Sequence, residues 1–216
     1  TMTDSYPYSV AAFASAAASL TNAYDGLSVL MTDPARALPL LRAAFAAAAD
    51  RPAAALVYAH VLALLGDRTG ERTLIDKVAA TPWDKGWDYR GMGQFNRSVS
   101  WMDSYIIALG RCRAVAAVPV LVKKIGGMGA APDYSHCRAL ALAFEAIGDR
   151  SAAPALAALL RKPCLAGYAL KPDAVPVVPG YENTAADAER CLALRELVLA
   201  RVLYRLGEVD GLARGI

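Results

Sequence analysis

The feature that most constrains the fold of this chain is a helix ending that recurs four times. In each copy an apolar residue precedes a glycine and a charged residue follows it: Leu65-Gly66-Asp67, Leu109-Gly110-Arg111, Ile147-Gly148-Asp149 and Leu206-Gly207-Glu208. Glycine readily adopts the left-handed backbone conformation that closes a helix. The glycines are 44, 38 and 59 residues apart. The first two spacings suit a repeat of two helices, and the third indicates an insertion.

The composition agrees with a packed helical protein. The 216 residues are 56% hydrophobic and 20% charged, and about one residue in five is alanine, a strong helix former. This apolar content excludes intrinsic disorder. The net charge is +3, without a dense cluster of Lys and Arg, which argues against a nucleic-acid surface. No segment alternates apolar and polar residues as a strand does, so we predict one all-α domain over 1–216.

The helical periodicity and the helix-start signals divide the chain into nine predicted helices. Asp33-Pro34 is typical of a helix start, because Asp caps free N–H groups and Pro fits the first helical position. Asp50 is expected to cap the next helix in the same way. The predicted helices cover about 8–23, 35–49, 52–65, 70–80, 98–109, 114–125, 134–147, 152–160 and 185–206.

Two segments interrupt this pattern as predicted loop insertions, at about 81–97 and 162–184. The first holds two tryptophans, a tyrosine, a phenylalanine and three glycines within 81–96. The second is rich in proline. Loops of this length without regular structure are uncommon and are often functional.

One of the repeated helix endings resembles a known repeat. The string Ala146-Ile147-Gly148-Asp149-Arg150-Ser151-Ala152-Ala153-Pro154-Ala155-Leu156 looks like the HEAT-like repeat of the bilin-lyase type. Small alanines let paired helices approach closely, and each pair buries the apolar face of its neighbour. The resemblance implies an α-α superhelix of four or five antiparallel helix pairs.

A narrower resemblance rests on four stretches in order, at 87–94 with 100–103, 107–111, 134–142 and 194–205. They include the strings Gly91-Met92-Gly93-Gln94 and Arg195-Glu196-Leu197-Val198-Leu199-Ala200-Arg201. Together they resemble the C-terminal helical region of a family of bacterial FAD-dependent oxidoreductases, over about residues 50–212. The resemblance implies an accessory domain that packs beside a separate flavin-binding Rossmann domain and helps to shape its substrate access.

The flavin site itself has no counterpart in this sequence. A Rossmann phosphate loop needs Gly-x-Gly-x-x-Gly between a strand and a helix. The nearest string, Gly91-Met92-Gly93-Gln94-Phe95-Asn96, lacks the third glycine and follows no apolar strand. We therefore expect no cofactor in this chain, and FAD only in the parent protein that the resemblance implies.

The best candidate site is the region 83–103 together with the start of the helix at 134. Its aromatic residues offer flat apolar faces and its polar residues offer directional hydrogen bonds, a mixture that suits a ligand or a partner domain. The candidate binding residues are Trp83, Trp87, Tyr89, Arg90, Gln94, Asp103, His136 and Arg138. Packing between two repeats, a partner-domain interface and a small-molecule pocket all remain open for these residues.

The two histidines lie in different contexts. His60 belongs to an apolar helix and is expected to pack with its ring hydrogen-bonded. His136 lies near a helix start, where it could cap, bind a ligand or act as an acid or base. With only two histidines, far apart in the chain, a multi-histidine metal site is not expected. Arg195 and Glu196 are expected to pair with neighbours at a repeat interface.

Three functions are compatible with these features. The first is a non-catalytic accessory module whose partner is the flavin domain or another protein domain, with neither nucleic acid nor membrane. The second is a small helical lyase or hydrolase with Asp103 and His136 in a cleft near Trp87. The third is a standalone repeat protein that binds a peptide or tetrapyrrole. Asp103 and His136 more than about 8 Å apart would exclude the second function, because acid and base must reach one reacting group.

The cysteines and the targeting signals bear on the compartment. Cys112, Cys137, Cys164 and Cys191 form no Cys-x-x-Cys pair, so we predict free, mostly buried thiols. Neither a signal peptide nor a membrane-spanning segment is visible in the sequence. These features predict a cytoplasmic location.

Overall fold

The architecture is all-α, as predicted. The computed structural model describes residues 8–87, 100–129, 132–163, 165–169 and 184–208, and these residues contain helices but no strand. The helices are α1 Val10–Ser19, α2 Leu27–Thr32, α3 Pro34–Ala47, α4 Pro52–Leu64, α5 Glu71–Ala80, α6 Trp101–Arg111, α7 Val118–Gly126, α8 Tyr134–Ile147, α9 Ala153–Leu160 and α10 Thr184–Arg205. Short 3-10 turns precede α7 and α9.

One of the two predicted helix caps is present in the structure. Asp33 accepts the backbone N–H of Arg36 at 3.3 Å, so it caps α3 as expected. Asp50 does not cap α4, and this prediction was wrong. The helix begins at Pro52, so the N-cap residue is Arg51 and Asp50 lies one position too early; no side chain caps α4.

The first predicted helix, 8–23, corresponds to the shorter α1, whereas α2 was not predicted. α1 ends at Ser19 and α2 begins at Leu27. Between them Ala23 and Tyr24 have φ values of 53° and 63°, a left-handed conformation that is uncommon outside glycine. This turn places the Tyr24 hydroxyl 2.7 Å from Nδ1 of His60, and that contact helps to offset the backbone strain.

Three of the four recurrent glycines close a helix as predicted. Gly66, Gly148 and Gly207 have φ values of 85°, 74° and 90°. Gly110 does not, and its assignment as a helix end was wrong, because α6 continues through it to Arg111. A Cβ atom on Gly110 would lie 2.6 Å from the Cα atom of Ala143, so this glycine instead lets α6 and α8 cross closely.

The helices stack in two rows from α4 onwards. α4, α6, α8 and α10 pack one against the next in the first row, and α5, α7 and α9 do so in the second. Small side chains lie in the buried contacts between these helices, among them Ala59, Ala63, Ala108 and Ala143. The stacking gives each helix apolar neighbours on more than one side. This packing, more than local helix propensity, makes the helices a rigid unit.

Two buried clusters form the core, and α4 contributes to both. One cluster joins α1 to α4, and the other joins α4 to α10. Cys112, Cys137 and Cys191 are thiols within the buried interior, as predicted, whereas Cys164 lies outside the described residues. In the ranges described above, none of the helices combines the length and apolar character needed to cross a bilayer.

Candidate functional site

A short extended segment forms one wall of the site. Residues 82–87, the described end of the predicted 81–97 loop, follow α5 and run past the start of α8. Gly86 donates its N–H to Asp133 Oδ2 at 2.8 Å, and Trp87 donates its N–H to Ser135 Oγ at 3.0 Å. Ser135 returns a backbone N–H to the Trp87 carbonyl at 3.0 Å. A Cβ on Gly86 would lie 2.6 Å from Ser135 Oγ, so the segment needs glycine there to come this close.

Asp84 fixes the same segment to the start of α6. Its carboxylate accepts the Ser100 hydroxyl at 2.6 Å and the backbone N–H groups of Trp101 and Met102 at 2.9 and 3.3 Å. Ser100 in turn accepts the N–H of Asp103 at 3.0 Å. These bonds satisfy the free N–H groups of the first turn with a carboxylate from a distant part of the chain.

His136 and Asp103 form a buried pair where these elements meet. Nδ1 of His136 lies 2.7 Å from Asp103 Oδ1, and Nε2 lies 3.0 Å from the carbonyl oxygen of Asp84. Asp133 Oδ2 is 3.7 Å from the same Nε2. His136 and Asp103 are only 4% and 6% exposed. Within the described residues, the other oxygen of Asp103, Oδ2, has no hydrogen-bond donor.

The partners of His136 determine its protonation. A backbone carbonyl can only accept a hydrogen bond, so Nε2 must donate to Asp84. A carboxylate also accepts, so Nδ1 carries a second proton in the paired state. Burial by itself lowers the pKa of His136, but the hydrogen bond and charge of Asp103, with help from Asp84 and Asp133, raise that pKa above its usual value. These partners favour the doubly protonated ring beside the Asp103 carboxylate.

Trp83 packs directly on this pair. Its indole ring lies 4.5 Å from the His136 ring, centroid to centroid, at a tilt of 38°. Its Nε1–H donates to the Lys124 carbonyl at 3.3 Å, and the Lys124 ammonium lies 5.9 Å from the ring centroid. That ammonium also donates to the Thr81 carbonyl, and burial lowers the pKa of Lys124 below its usual value. Three contacts, with the His136 ring and with the carbonyl and ammonium of Lys124, thus hold one half-buried tryptophan in place.

Two cavities open beside Trp83. The smaller, of about 210 Å³, has a mixed polar lining: Trp83, Asp84, Gly127, Met128, Gly129, Pro132, Asp133 and His136. The larger, of about 460 Å³, lies between the end of α5 and α7. We call it the Trp83 groove, and its lining is Ala79, Pro82, Trp83, Val120, Lys123, Lys124 and Gly127. Its volume lies in the range of typical ligand and anchor-residue pockets.

The structure brings together four of the eight candidate residues. Trp83, Asp103 and His136 are in one cluster, and Trp87 packs beside it with its ring 5.6 Å from that of Tyr134. Arg138 is exposed on α8 and lines neither cavity. The remaining candidates, Tyr89, Arg90 and Gln94, lie outside the described residues. The Gly91–Asn96 string, considered as a phosphate loop, lies outside them as well.

Sequence reasoning missed Lys124 and the particular role of Asp84. Lys124 sits near the end of α7, 41 positions from Trp83, and no local pattern links the two. Asp84 helps to cap a helix that begins 17 positions later, at Trp101, so it does not stand directly before that helix as a recognisable capping residue does. Asp133, which directly precedes α8, was recognisable as part of a helix start.

His60 forms a second buried polar cluster, between α4, α6 and the turn before α2. Nδ1 lies 2.7 Å from the Tyr24 hydroxyl oxygen, and Nε2 lies 3.0 Å from Ser104 Oγ. The predicted hydrogen-bonded packing role is confirmed. Burial lowers the pKa of His60 to about 4, against a weaker opposing effect of Ser104. Trp101, 52% exposed, stacks on Tyr24 with ring centroids 5.4 Å apart.

Glu196 on α10 fixes the described part of the second predicted loop. Its carboxylate accepts the backbone N–H groups of Gly167, Tyr168 and Ala169 at 2.9, 2.7 and 2.8 Å. The side chain is almost fully buried, at 2% exposure. Glu196 was expected to pair at a repeat interface, and it instead accepts the amides of a loop.

Comparisons with known proteins identify no related protein. No family model, curated protein or solved structure matches the chain. Among the described residues, no group of three or more His, Cys, Asp or Glu side chains is arranged to hold a metal ion. The geometry of the site is thus the basis for a functional proposal.

Proposed function

We propose that this chain is a helical interaction module of the HEAT-like type, which docks a partner protein at the Trp83 groove and performs no chemistry of its own. The two rows of stacked helices support the HEAT-like arrangement, since such repeats pack each pair against the next. The module presents one rigid surface at the edge where the extended segment 82–87 meets α7.

The observation that carries this proposal is the way Trp83 is held. Its ring and its N–H are engaged by His136 and Lys124, yet the residue still lines an open groove. Partly exposed tryptophans are frequent energetic centres of protein interfaces. A side chain that is already immobile loses little conformational entropy when a partner binds, so its burial contributes more to affinity.

The enzymatic alternative depends on the Asp103–His136 pair. The two side chains are 2.7 Å apart, so the distance criterion does not exclude it. In catalytic triads the histidine uses Nδ1 for the carboxylate and keeps Nε2 open to take a proton. Here Nε2 is already bound to the Asp84 carbonyl, so the ring has no free nitrogen for an incoming group. This geometry favours a structural clamp that supports Trp83.

The identity of the partner follows from the sequence resemblance. The strings that resemble FAD-dependent oxidoreductases lead us to propose a flavin-binding domain as the partner, with FAD held there and not by this chain. Part of that resemblance, at 91–94, follows Trp83 and Trp87 closely in the amino-acid sequence. A docking site at the Trp83 groove is consistent with an accessory domain that flanks another domain.

Site-specific photo-crosslinking in the source organism tests the proposal. A photoreactive amino acid at Val120, in the groove, is expected to capture one discrete partner, and mass spectrometry identifies whether that partner contains a flavin domain. The matched control is Val115, which is 50% exposed and does not line the groove. Equal capture at both positions, or none at Val120, would contradict docking at the groove. A flavin spectrum that co-purifies with the isolated chain would contradict the absence of FAD.

A further inference from the structure

We propose that the segment bound by the Trp83 groove is an amphipathic helix of the partner protein, with apolar anchor residues and acidic residues flanking them. This inference rests on the proposed function and specifies the chemistry of the partner at the same groove. It follows from the floor of the groove, from the charges at its rim and from the rigidity of its walls.

The floor of the groove selects apolar side chains. Ala79, Pro82, Trp83 and Val120 contribute hydrophobic surface, and Trp83 and Val120 also pack on the main buried cluster. A volume of about 460 Å³ holds more than one large side chain. Helices that dock in such grooves place their anchors three or four residues apart, so that they project from one face.

The rim of the groove is positively charged. Lys123 and Lys124 both line it, and no acidic residue does so in the described part of the chain. Lys124 donates to the Thr81 carbonyl, and its ammonium nitrogen lies over the Trp83 ring on the groove wall. Lys123 is exposed and has no ion pair with any residue that the structure describes. Charge complementarity therefore favours a partner carboxylate beside Lys123.

The adjacent acidic side chains do not cancel this preference. Asp84 and Asp133 line the smaller cavity, not the groove. Asp84 is occupied by Ser100, Trp101 and Met102, and Asp133 accepts the Gly86 N–H and lies near His136. Both carboxylates are thus bound to groups around the Asp103–His136 pair. The groove itself is left with two lysines over an apolar floor, which distinguishes it from the rest of the site.

A pair of designed peptides tests this inference on the full chain. Both are helical, roughly 18 residues long, and share the same apolar face, but one carries glutamates and the other lysines around that face. Fluorescence anisotropy measures the affinity of each labelled peptide. We expect the acidic peptide to bind about tenfold or more tightly than the basic one. In Lys123→Glu that preference is expected to fall or reverse, whereas Arg51→Glu, an exposed change in the α3–α4 turn, is expected to keep it.

The possible outcomes separate the inference from the function on which it rests. Equal binding of the two peptides, or tighter binding of the basic one, overturns the acidic partner while leaving the groove as a docking site. Binding that is unaffected by Ala79→Tyr, which fills the groove from an exposed position of α5, overturns the groove as the site. Failure of both peptides to bind overturns the helical occupant, whereas the photo-crosslinking experiment independently decides whether the groove docks a partner.

Discussion

At the residue scale, the two histidines show how different surroundings give one side chain opposite properties. His60 is buried among hydroxyl groups and apolar rings, and its pKa is lowered. His136 is equally buried but faces a carboxylate and a carbonyl, and its pKa is raised. The raised pKa means that the stabilisation by His136 is fully present below its usual pKa of 6.5 and is lost as pH rises through the folded value.

The first prediction concerns the stability of the protein in acid. The folded pKa of His60 is about 4 and its usual value is 6.5, so the unfolded chain takes up this proton first as the pH falls. Between pH 6.5 and 4 the free energy of unfolding should drop by about 3 kcal/mol from this residue alone. Urea unfolding of the native protein and His60→Gln across this range measures it. A difference between the two proteins that stays constant with pH would contradict the prediction.

The second prediction concerns Asp103→Asn. The amide oxygen can still accept a hydrogen bond from Nδ1, but the negative charge is lost, so burial dominates and the pKa of His136 should fall below 6.5. The matched control is Asp133→Asn, since Asp133 is farther from the ring and more exposed. Its effect should be smaller. NMR titration measures both, and an unchanged pKa in Asp103→Asn would show that the pair is not an ion pair.

At the element scale, contacts between distant segments complete one helix start and hold one loop. α6 depends on Asp84 and the loop 167–169 depends on Glu196, although each carboxylate lies far from its donors in the chain. Such contacts couple local helix formation to the tertiary fold. They also explain why the extended segment 82–87 has a defined position without regular secondary structure of its own.

Removal of the Asp84 cap tests this coupling. Asp84→Ala leaves the Ser100 hydroxyl and two N–H groups of α6 without their acceptor, so the free energy of unfolding should fall by about 1–2 kcal/mol. Asp84→Asn keeps one acceptor oxygen and should lose less. Chemical denaturation measures both variants. If Asp84→Ala had the same free energy of unfolding as the native protein, the contact would contribute nothing to the stability of α6.

A second test at this scale concerns the crossing of α6 and α8. Alanine normally stabilises a helix relative to glycine by about 1 kcal/mol, but a Cβ at Gly110 would clash with Ala143. Gly110→Ala should therefore destabilise the protein by about 1–3 kcal/mol. Gly126→Ala at the end of α7 is the control, because a Cβ there meets no atom within 4 Å. Thermal unfolding compares the two, and a stabilised Gly110→Ala would refute the close crossing.

At the scale of the whole molecule, periodicity was sufficient to predict an all-α chain and the positions of most helices. The short helix α2 was not predicted, and it follows a left-handed Ala23-Tyr24 turn that His60, far along the chain, helps to hold. The composition of the site predicted Trp83, Asp103 and His136 as a group. It could not predict that Nε2 of His136 binds the Asp84 carbonyl, since every residue has a backbone carbonyl and the sequence does not show which one is used.

The same carbonyl decides between a structural clamp and an acid–base pair, so the protonation of His136 is the most direct test of this account. Nitrogen NMR on histidine-labelled protein resolves both rings, because the chain has only two histidines. We expect Nε2 of His136 to carry a proton throughout the titration, with a pKa above 6.5. A neutral ring with the proton on Nδ1 and an unprotonated Nε2 would contradict the structural role of the pair and would support the enzymatic alternative.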